Sequence, residues 1–374
     1  MRIAYDPQIF FHQRYGGISR YFTEVAKGVR DHGHTPGVFA PNDSNYYLEQ
    51  SKLPIIEASR LASVYAKLPS RLKRGRHPYE CPPVRWEIRE RMSKWKPDVV
   101  HETYYYDQKL GPVGIPTVLT VYDMIHEIFP TSFESSNPTQ KLKKQAVANA
   151  DAIICISHST AKDLHEILDV PYSKISVTHL GWEILTAASV SEITPPISRK
   201  PYFLIVGSRT GYKNFMGLLR AFAADSRLRV DFDLIAFGGG AFDNAEIELI
   251  SRLGLTSVVH HSPGDDKVLG SLYTTARAFV YPSLYEGFGL PPLEAMAHHC
   301  PVISSNTSSM PEVIGDAGRF FDPTIIESMT EALADIGYSD EAHARLIQKG
   351  QERLCVFSWE KCAAETLAVY QSLG

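Results

Sequence analysis

Residues 285 to 296 read YEGFGLPPLEAM, which sets two glutamates, Glu286 and Glu294, eight positions apart around a loop of glycine and proline. Gly287 and Gly289, on either side of Phe288, let a backbone approach a ligand closely. After Leu290, Pro291 and Pro292 suit the first turn of a helix, where a missing N–H costs least. A helix that starts there offers N–H groups and positive dipole character to an anion such as a diphosphate. Carboxylates on either side can each accept hydrogen bonds from the hydroxyls of a sugar ring or a ribose. Phosphate on the turn and hydroxyls on the acids is therefore the expected chemistry. The plainer alternative has Glu294 complementing the helix dipole in or near the first turn and Glu286 capping a turn.

A second anion site is expected in LIVGSRTGYKNFMGLL, which follows an apolar run. Arg209 and Lys213 flank a glycine there, and Asn214 can cap the helix that follows. Arginine offers a bidentate fork and lysine a mobile point charge, so the pair suits a pyrophosphate. Fixed cations at that place would stabilise negative charge on a leaving phosphate. The alternative is two solvated surface cations. The segment lacks the Gly-x-x-x-x-Gly-Lys-Ser/Thr pattern of a nucleotide-binding P-loop. FGGGAFD, residues 237 to 243, lacks Gly-x-Gly-x-x-Gly and reads as a strand-to-helix turn. No metal site is expected, since there is no Cys/His cluster and no His-Glu-x-x-His. Asp231 and Asp233 form an Asp-x-Asp, but at the opening of a strand, away from any glycine-rich turn.

These residues need elements to hold them. Short β-branched runs alternate with amphipathic segments of helical length: RIAYD, DVVHET, TVLTVYD, DAIICIS and ISVTHLG in the first half, then YFLIVGS, FDLIAFGG, VVHHS, AFVYPS and PVISS. Several are nearly all apolar, as parallel strands covered on both faces are. The alternation predicts an α/β protein with two Rossmann-like domains. Ligands of such sheets sit outside the carboxyl ends of the strands. A stretch rich in Ser, Thr and Pro, residues 186 to 201, reads as the linker.

The chain has 374 residues, with 38 basic and 42 acidic, and a net charge of −4. Two domains are the natural expectation at that length, and the mild acidity disfavours a nucleic-acid partner. The five cysteines, at 81, 155, 300, 355 and 362, form no Cys-x-x-Cys pair and are expected to be reduced, buried thiols of a cytoplasmic protein. Neither a signal peptide nor a membrane span is expected, so any membrane role would be peripheral.

At GSRTGYKN and VYPSLYEGFGLPPLEAMAHHCPVISSNTSSMPEVIGDAG the sequence resembles the retaining, nucleotide-sugar-dependent glycosyltransferases of family 4, with the GT-B fold. The resemblance runs along nearly the whole chain. It implies two Rossmann-like domains facing across a cleft: residues 1–182 for the acceptor, a linker at 183–200, residues 201–355 for the nucleotide sugar, and a closing helix at 356–374 that packs back on the first domain. It implies that Glu286 contacts the donor sugar and Glu294 the ribose, that Arg209 and Lys213 hold the diphosphate, and that the backbone of Gly287, Phe288, Gly289 and Leu290 holds sugar and phosphate. YGGISRY resembles the family's glycine loop, so Gly16 and Gly17 are expected at the diphosphate. Many relatives carry His-Asp where this chain has Tyr122-Asp123. Asp123 and His126 are therefore the candidates to orient the acceptor hydroxyl, against a helix cap and a surface histidine. ICISHSTAKDL also matches a family pattern; Ser157 and Ser159 would face the cleft, with Ser159 a helix cap as the alternative.

The implied reaction moves a hexose with retention, by departure and attack on one face of the sugar, from a nucleotide diphosphate donor to a saccharide or polyprenyl-diphosphate-linked acceptor. Similar relatives imply GDP-mannose or a GDP-deoxysugar as donor, and no cofactor. A nucleotide-sugar epimerase, a sugar phosphorylase and a catalytically silent sugar-nucleotide sensor are the other readings. Residues 67 to 96 hold ten basic and three acidic residues, with Trp86 and Trp95 among them. They suggest peripheral contact with an anionic membrane at its cytoplasmic face, or a solvated helix surface. HETYYYDQ, residues 101 to 108, offers aromatic faces to an acceptor sugar or to packing.

Overall fold

The computed structural model describes residues 1–41, 45–66, 68, 77–184 and 198–374. Most of the expected linker, and residues 67 and 69–76 of the basic stretch, lie outside the described residues. The chain forms two compact units. Unit 1 comprises Met1–Glu127, Glu134–Gly181 and Trp359–Gly374, and unit 2 comprises Ile128–Phe133 and Trp182–Ser358. Residues 128–133, which the sequence suggests for the first domain, thus cluster with the second. The final helix, Trp359–Gln371, belongs to unit 1.

Unit 1 is built on a seven-stranded sheet of β1 (Arg2–Tyr5), β2 (Thr35–Ala40), β3 (Ile55–Glu57), β4 (Val99–Glu102), β5 (Thr117–Val121), β6 (Ala152–Cys155) and β7 (Ile175–Val177), in the order β3-β2-β1-β4-β5-β6-β7. Unit 2 carries β8 (Tyr202–Val206), β9 (Asp233–Phe237), β10 (Val259–Ser262), β11 (Ala278–Tyr281), β12 (Val302–Ser305) and β13 (Gly318–Phe321), in the order β10-β9-β8-β11-β12-β13. Every strand pairing among the described residues is parallel. In each sheet the strand order reverses beside the first strand of the unit, which puts the loops after that strand and its neighbour at the edge where such folds bind ligands.

Three strands, β2, β3 and β13, escape the periodicity. β2 reads TPGVFA and carries both residues that normally break strands. Its Gly37 is required, because a Cβ there would lie 2.6 Å from the Trp95 ring. The central strands β4 (VVHE) and β5 (TVLTV) are buried along their whole length, and β4 takes His101 and Glu102 inside with its two valines. The unit 2 core gathers Phe203, Phe215, Leu218, Phe222, Leu234 and Leu333; each such side chain, fully buried, contributes roughly 1.5–3 kcal/mol. Of the cysteines, Cys155, Cys300 and Cys362 are buried, whereas Cys81 is half-buried and Cys355 exposed.

Helix Gly17–Asp31 buries Tyr21, Phe22, Val25, Ala26 and Val29 on one face. The final helix lies against it and is tied to the sheet through His101, whose Nδ1 is 2.6 Å from the Tyr370 hydroxyl while Nε2 meets Thr120 Oγ1 at 2.8 Å. The closest approach is at Gly28, where a Cβ would sit 2.2 Å from that of Ala363. Helix propensity alone favours Ala over Gly by about 1 kcal/mol, while overpacking costs about 1–3 kcal/mol. Gly28→Ala is therefore expected to lower the denaturant midpoint of unit 1; a raised midpoint would show that the two helices pack more loosely than described.

Candidate functional site

In unit 2 the sequence-predicted residues gather on the loops after β8 and β11. Lys213 closes a short 3-10 turn, Gly211–Lys213. Its Nζ lies 2.7 Å from Glu286 Oε1, and the two side chains are 20% and 9% exposed. Burial makes this contact stronger than a surface pair, because less water screens it. The Tyr281 hydroxyl, from the end of β11, also bonds the Glu286 side chain, and burial with that acid beside it holds its pKa well above the usual tyrosine value. Two expected contributors, one cation and one acid, thus meet directly.

The backbone around Glu286 is stapled by hydroxyls of the loop after β12. Glu286 N donates to Ser308 Oγ at 2.9 Å, and Ser309 Oγ lies 2.8 Å from the carbonyls of both Glu286 and Phe288, which share its one proton. Thr307 Oγ1 donates to Leu284 O at 2.8 Å and Ser305 Oγ to Ser283 O at 2.6 Å. Tying Gly287 and Phe288 down in this way leads the chain into Gly289, whose φ of 113° requires glycine, and then into helix Leu290–Ala297. Pro291 and Pro292 fall in its first turn, and no side chain caps it. Glu294 lies a turn further on, so no acid stands in the first turn; it bonds the buried Tyr273 hydroxyl instead.

Asn214 differs from expectation, and Arg209 is engaged within the protein. All three guanidinium nitrogens of Arg209 point into the protein, towards Glu246 and the carbonyls of Gly238, Gly240 and Ala241. Asn214 stands at the start of helix Phe215–Ala224 but makes no cap bond. Its backbone is left-handed, and Nδ2 donates to Pro282 O and Pro323 O, tying the loops after β11 and β13 together. The Asp-x-Asp is split: Asp231 accepts from Tyr338, while Asp233 accepts from Ser198 and faces His260.

In unit 1, Gly16 precedes helix Gly17–Asp31, whose start has no side-chain cap; a Cβ on Gly17 would meet nothing within 4 Å. Asp123 follows β5 and accepts the Ile125 N–H. The residue sequence reasoning missed is Lys143, fully buried, whose Nζ lies 2.7 Å from Glu127 Oε2 and 2.8 Å from Asp123 O. It comes from helix Thr139–Asn149, and nothing in the spacing of that polar helix marks it. Burial, then the Lys143 charge, lower the pKa of the half-buried His126, so its ring is neutral at pH 7. The helix cap after β6 is Ser157, which accepts from Thr160 N; Ser159 lies inside the helix. Tyr105 is buried against Tyr122 and Lys143, and Tyr104 and Tyr106 are half-buried against His12 and Arg85. That trio is mostly packing.

Two families match the chain: the one described as Glycosyltransferase Family 4 over residues 15–183, and Glycosyl transferases group 1 over residues 190–353. O-antigen chain mannosyltransferase B of Escherichia coli is 31% identical over 63% of this chain and 64% of its own length, so the match spans just under two thirds of that relative. MMP alpha-(1->4)-mannosyltransferase of Mycolicibacterium hassiacum is 28% identical over 73% of this chain and 70% of its own. Among solved structures, Anabaena HepE, determined in complex with UDP and glucose, superposes over all of both chains with a TM-score of 0.73 at 17% identity. Sucrose-phosphate synthase from Thermosynechococcus elongatus gives a TM-score of 0.71 at 20% identity, over 100% of this chain and 98% of its own. At those identities the likeness is one of fold, which is GT-B.

Lys213→Met leaves the Glu286 carboxylate buried without its cation and is expected to cost about 2 kcal/mol of stability. Glu286→Gln leaves an ammonium that can still reach water, so its cost is expected to be smaller. Equal or absent losses in urea unfolding would contradict the pairing. A second measurement concerns Glu102, which is 2% exposed and whose Oε1 has no hydrogen-bond partner among the described residues. Burial, then the Asp6 charge, push its pKa up to about 8. Its contribution to stability is thus fully present below the unfolded value near 4.5 and lost as pH rises through about 8. Glu102→Gln is expected to match the wild type at pH 4 and exceed it by about 2–4 kcal/mol at pH 9; a pH-independent difference would refute this.

Proposed function

Because the chain belongs to the glycosyltransferases of family 4 and group 1, we propose that it transfers a hexose, with retention, from a nucleoside diphosphate donor to a saccharide or lipid-linked saccharide. Mannose or a deoxysugar carried on GDP is the donor group proposed, in keeping with the mannosyltransferases among its relatives. The observation that carries the reading is the Lys213–Glu286 pair, set beside a glycine-led helix start. A donor diphosphate can take over the Lys213 ammonium, and the sugar hydroxyls can take over the Glu286 carboxylate. The ion pair is exchanged for two charge-assisted contacts to one ligand. The backbone from Gly287 to Leu290 then holds sugar and phosphate, with Glu294 on the ribose.

In the proposed step the bond from the anomeric carbon to the phosphate oxygen breaks. The acceptor oxygen bonds to the same face of that carbon, and its proton passes to the departing phosphate oxygen. Lys213 stabilises the charge that develops on the phosphate. Asp123 and the neutral His126 would orient the acceptor hydroxyl, and Gly16 and Gly17 would approach the diphosphate. The proposed setting is polysaccharide synthesis at the cytoplasmic face of a membrane, without a metal. No helix among the described residues is long and apolar enough to cross a membrane. Trp86 is 65% exposed, which suits peripheral contact, but Arg85, Arg89, Arg91 and Lys94 are each bonded to a neighbouring group.

A thermal-shift screen with UDP, GDP, ADP and their sugars is expected to single out GDP and GDP-mannose. Transfer to a saccharide acceptor is expected to yield the retained anomer and to survive a chelator. Lys213→Met and Glu286→Gln should each lower turnover about 10²-fold or more. Near-normal transfer by both variants would sink the assignment, and an altered donor sugar without any acceptor would favour an epimerase.

A further inference from the structure

Arg209 is held unlike a residue that waits for a ligand. Its side chain is 4% exposed, and that of Glu246 is 9% exposed. Nε donates to Glu246 Oε1 at 2.8 Å and Nη2 to Oε2 at 3.2 Å. Nη1 donates to Gly238 O at 2.7 Å, and Nη2 also reaches Gly240 O at 2.9 Å and Ala241 O at 3.1 Å. The guanidinium lies near the rings of Phe215 and Phe242, 5.7 and 5.0 Å from their centroids. Glu246 is fixed in turn, because it forms the capping box of helix Asn244–Arg252 with Asp243. The turn that supplies the carbonyls has left-handed backbone at Gly238, Gly239 and Gly240. A Cβ on Gly239 would lie 2.6 Å from Gly207 O and 2.9 Å from Arg209 Nη1. The turn is thus shaped to fit around this arginine.

We infer that Arg209 is a positioning residue that, with Glu246, clamps the glycine turn 238–241 onto the loop after β8 and so sets where Lys213 stands, leaving Lys213 as the cation that meets the donor phosphate. The inference rests on the donor-binding reading above. Only Thr210, Gly211 and Tyr212 separate the two residues, and the Lys213 N–H returns to Thr210 O. To reach a phosphate, Arg209 would have to abandon a buried carboxylate and three carbonyls, each left without its donor. Lys213, 20% exposed on a flexible stem, gives up only Glu286, which the donor sugar can satisfy.

The two roles predict opposite signs for one substitution. If Arg209 bound phosphate, Glu246→Gln would remove a competing negative charge and tighten nucleotide binding. If Arg209 is a clamp, the same change loosens the turn and weakens binding. UDP and GDP are titrated by calorimetry into the full chain, the R209Q and E246Q variants and their double mutant, at several salt concentrations, with a thermal melt of each. Expected is a loss of about 3- to 10-fold for E246Q and for R209Q, with the double variant no worse than the weaker single. The salt dependence of binding should be kept in both and reduced in K213M. Binding by E246Q as tight as the wild type or tighter, with R209Q losing both affinity and salt dependence, would overturn the inference. If the wild type binds neither nucleotide, it is the donor reading that fails. The melts then decide the clamp: non-additive losses in the double variant support it, and additive losses overturn it.

Discussion

The 2.7 Å contact between Lys213 and Glu286 joins the loops after β8 and β11, and the rest of unit 2 is arranged to make it possible. Two neighbouring parallel strands release their chains at the same edge. One loop tightens into a 3-10 turn that ends on the lysine. The other is fastened by Ser305, Thr307, Ser308 and Ser309 before it enters its helix. A pair this close in a partly dry setting is strong enough to order both loops, yet it offers two charges that one ligand bearing an anion and hydroxyls can replace. Preorganisation of this kind lowers the cost of binding, because the groups are ordered before the ligand arrives.

Unit 1 uses the same device for a different end. Its strand-end loops are held by polar groups taken out of water and paired inside: Lys143 with Glu127 and the Asp123 carbonyl, and Asp6 with Thr103 and Gln8. Each is costly to bury alone and acceptable once bonded. They fix the backbone at Asp123 and leave the half-buried His126 uncharged at pH 7. His12, with its pKa lowered to about 4 by burial and by His77, sits 2.6 Å from the Tyr79 hydroxyl and adds a third such group.

Both sheets and most of their strands are legible in the sequence, because several parallel strands covered on two faces become nearly all apolar and alternate with helical segments. β2 is hidden by its Pro and Gly, β3 by its length of three residues, and β13 by the glycine that opens it. At the candidate site, the glutamate pair, the prolines and Lys213 are visible as residue types at telling spacings. What supports them is not. Asn214 reads as a cap and is a cross-tie between loops. Arg209 reads as a phosphate ligand, and the turn at 238–241 that encloses it lies too far along the chain for local pattern rules to join the two. Ser308 and Ser309 lie within the segment that resembles the family, yet their bonds to the Glu286 loop follow only from the sheet order. Lys143 gives no signal, since a buried lysine on a polar helix looks like an exposed one until its acid partner is in place.

The most direct test is a crystal structure of the chain with GDP-mannose, or with the nucleoside diphosphate that binds best. Expected is a β-phosphate within hydrogen-bond reach of the Lys213 ammonium and of backbone N–H groups between Gly287 and Leu290, with the Glu286 carboxylate turned to a sugar hydroxyl. A nucleotide bound elsewhere, with Lys213 and Glu286 still joined to each other, would contradict it.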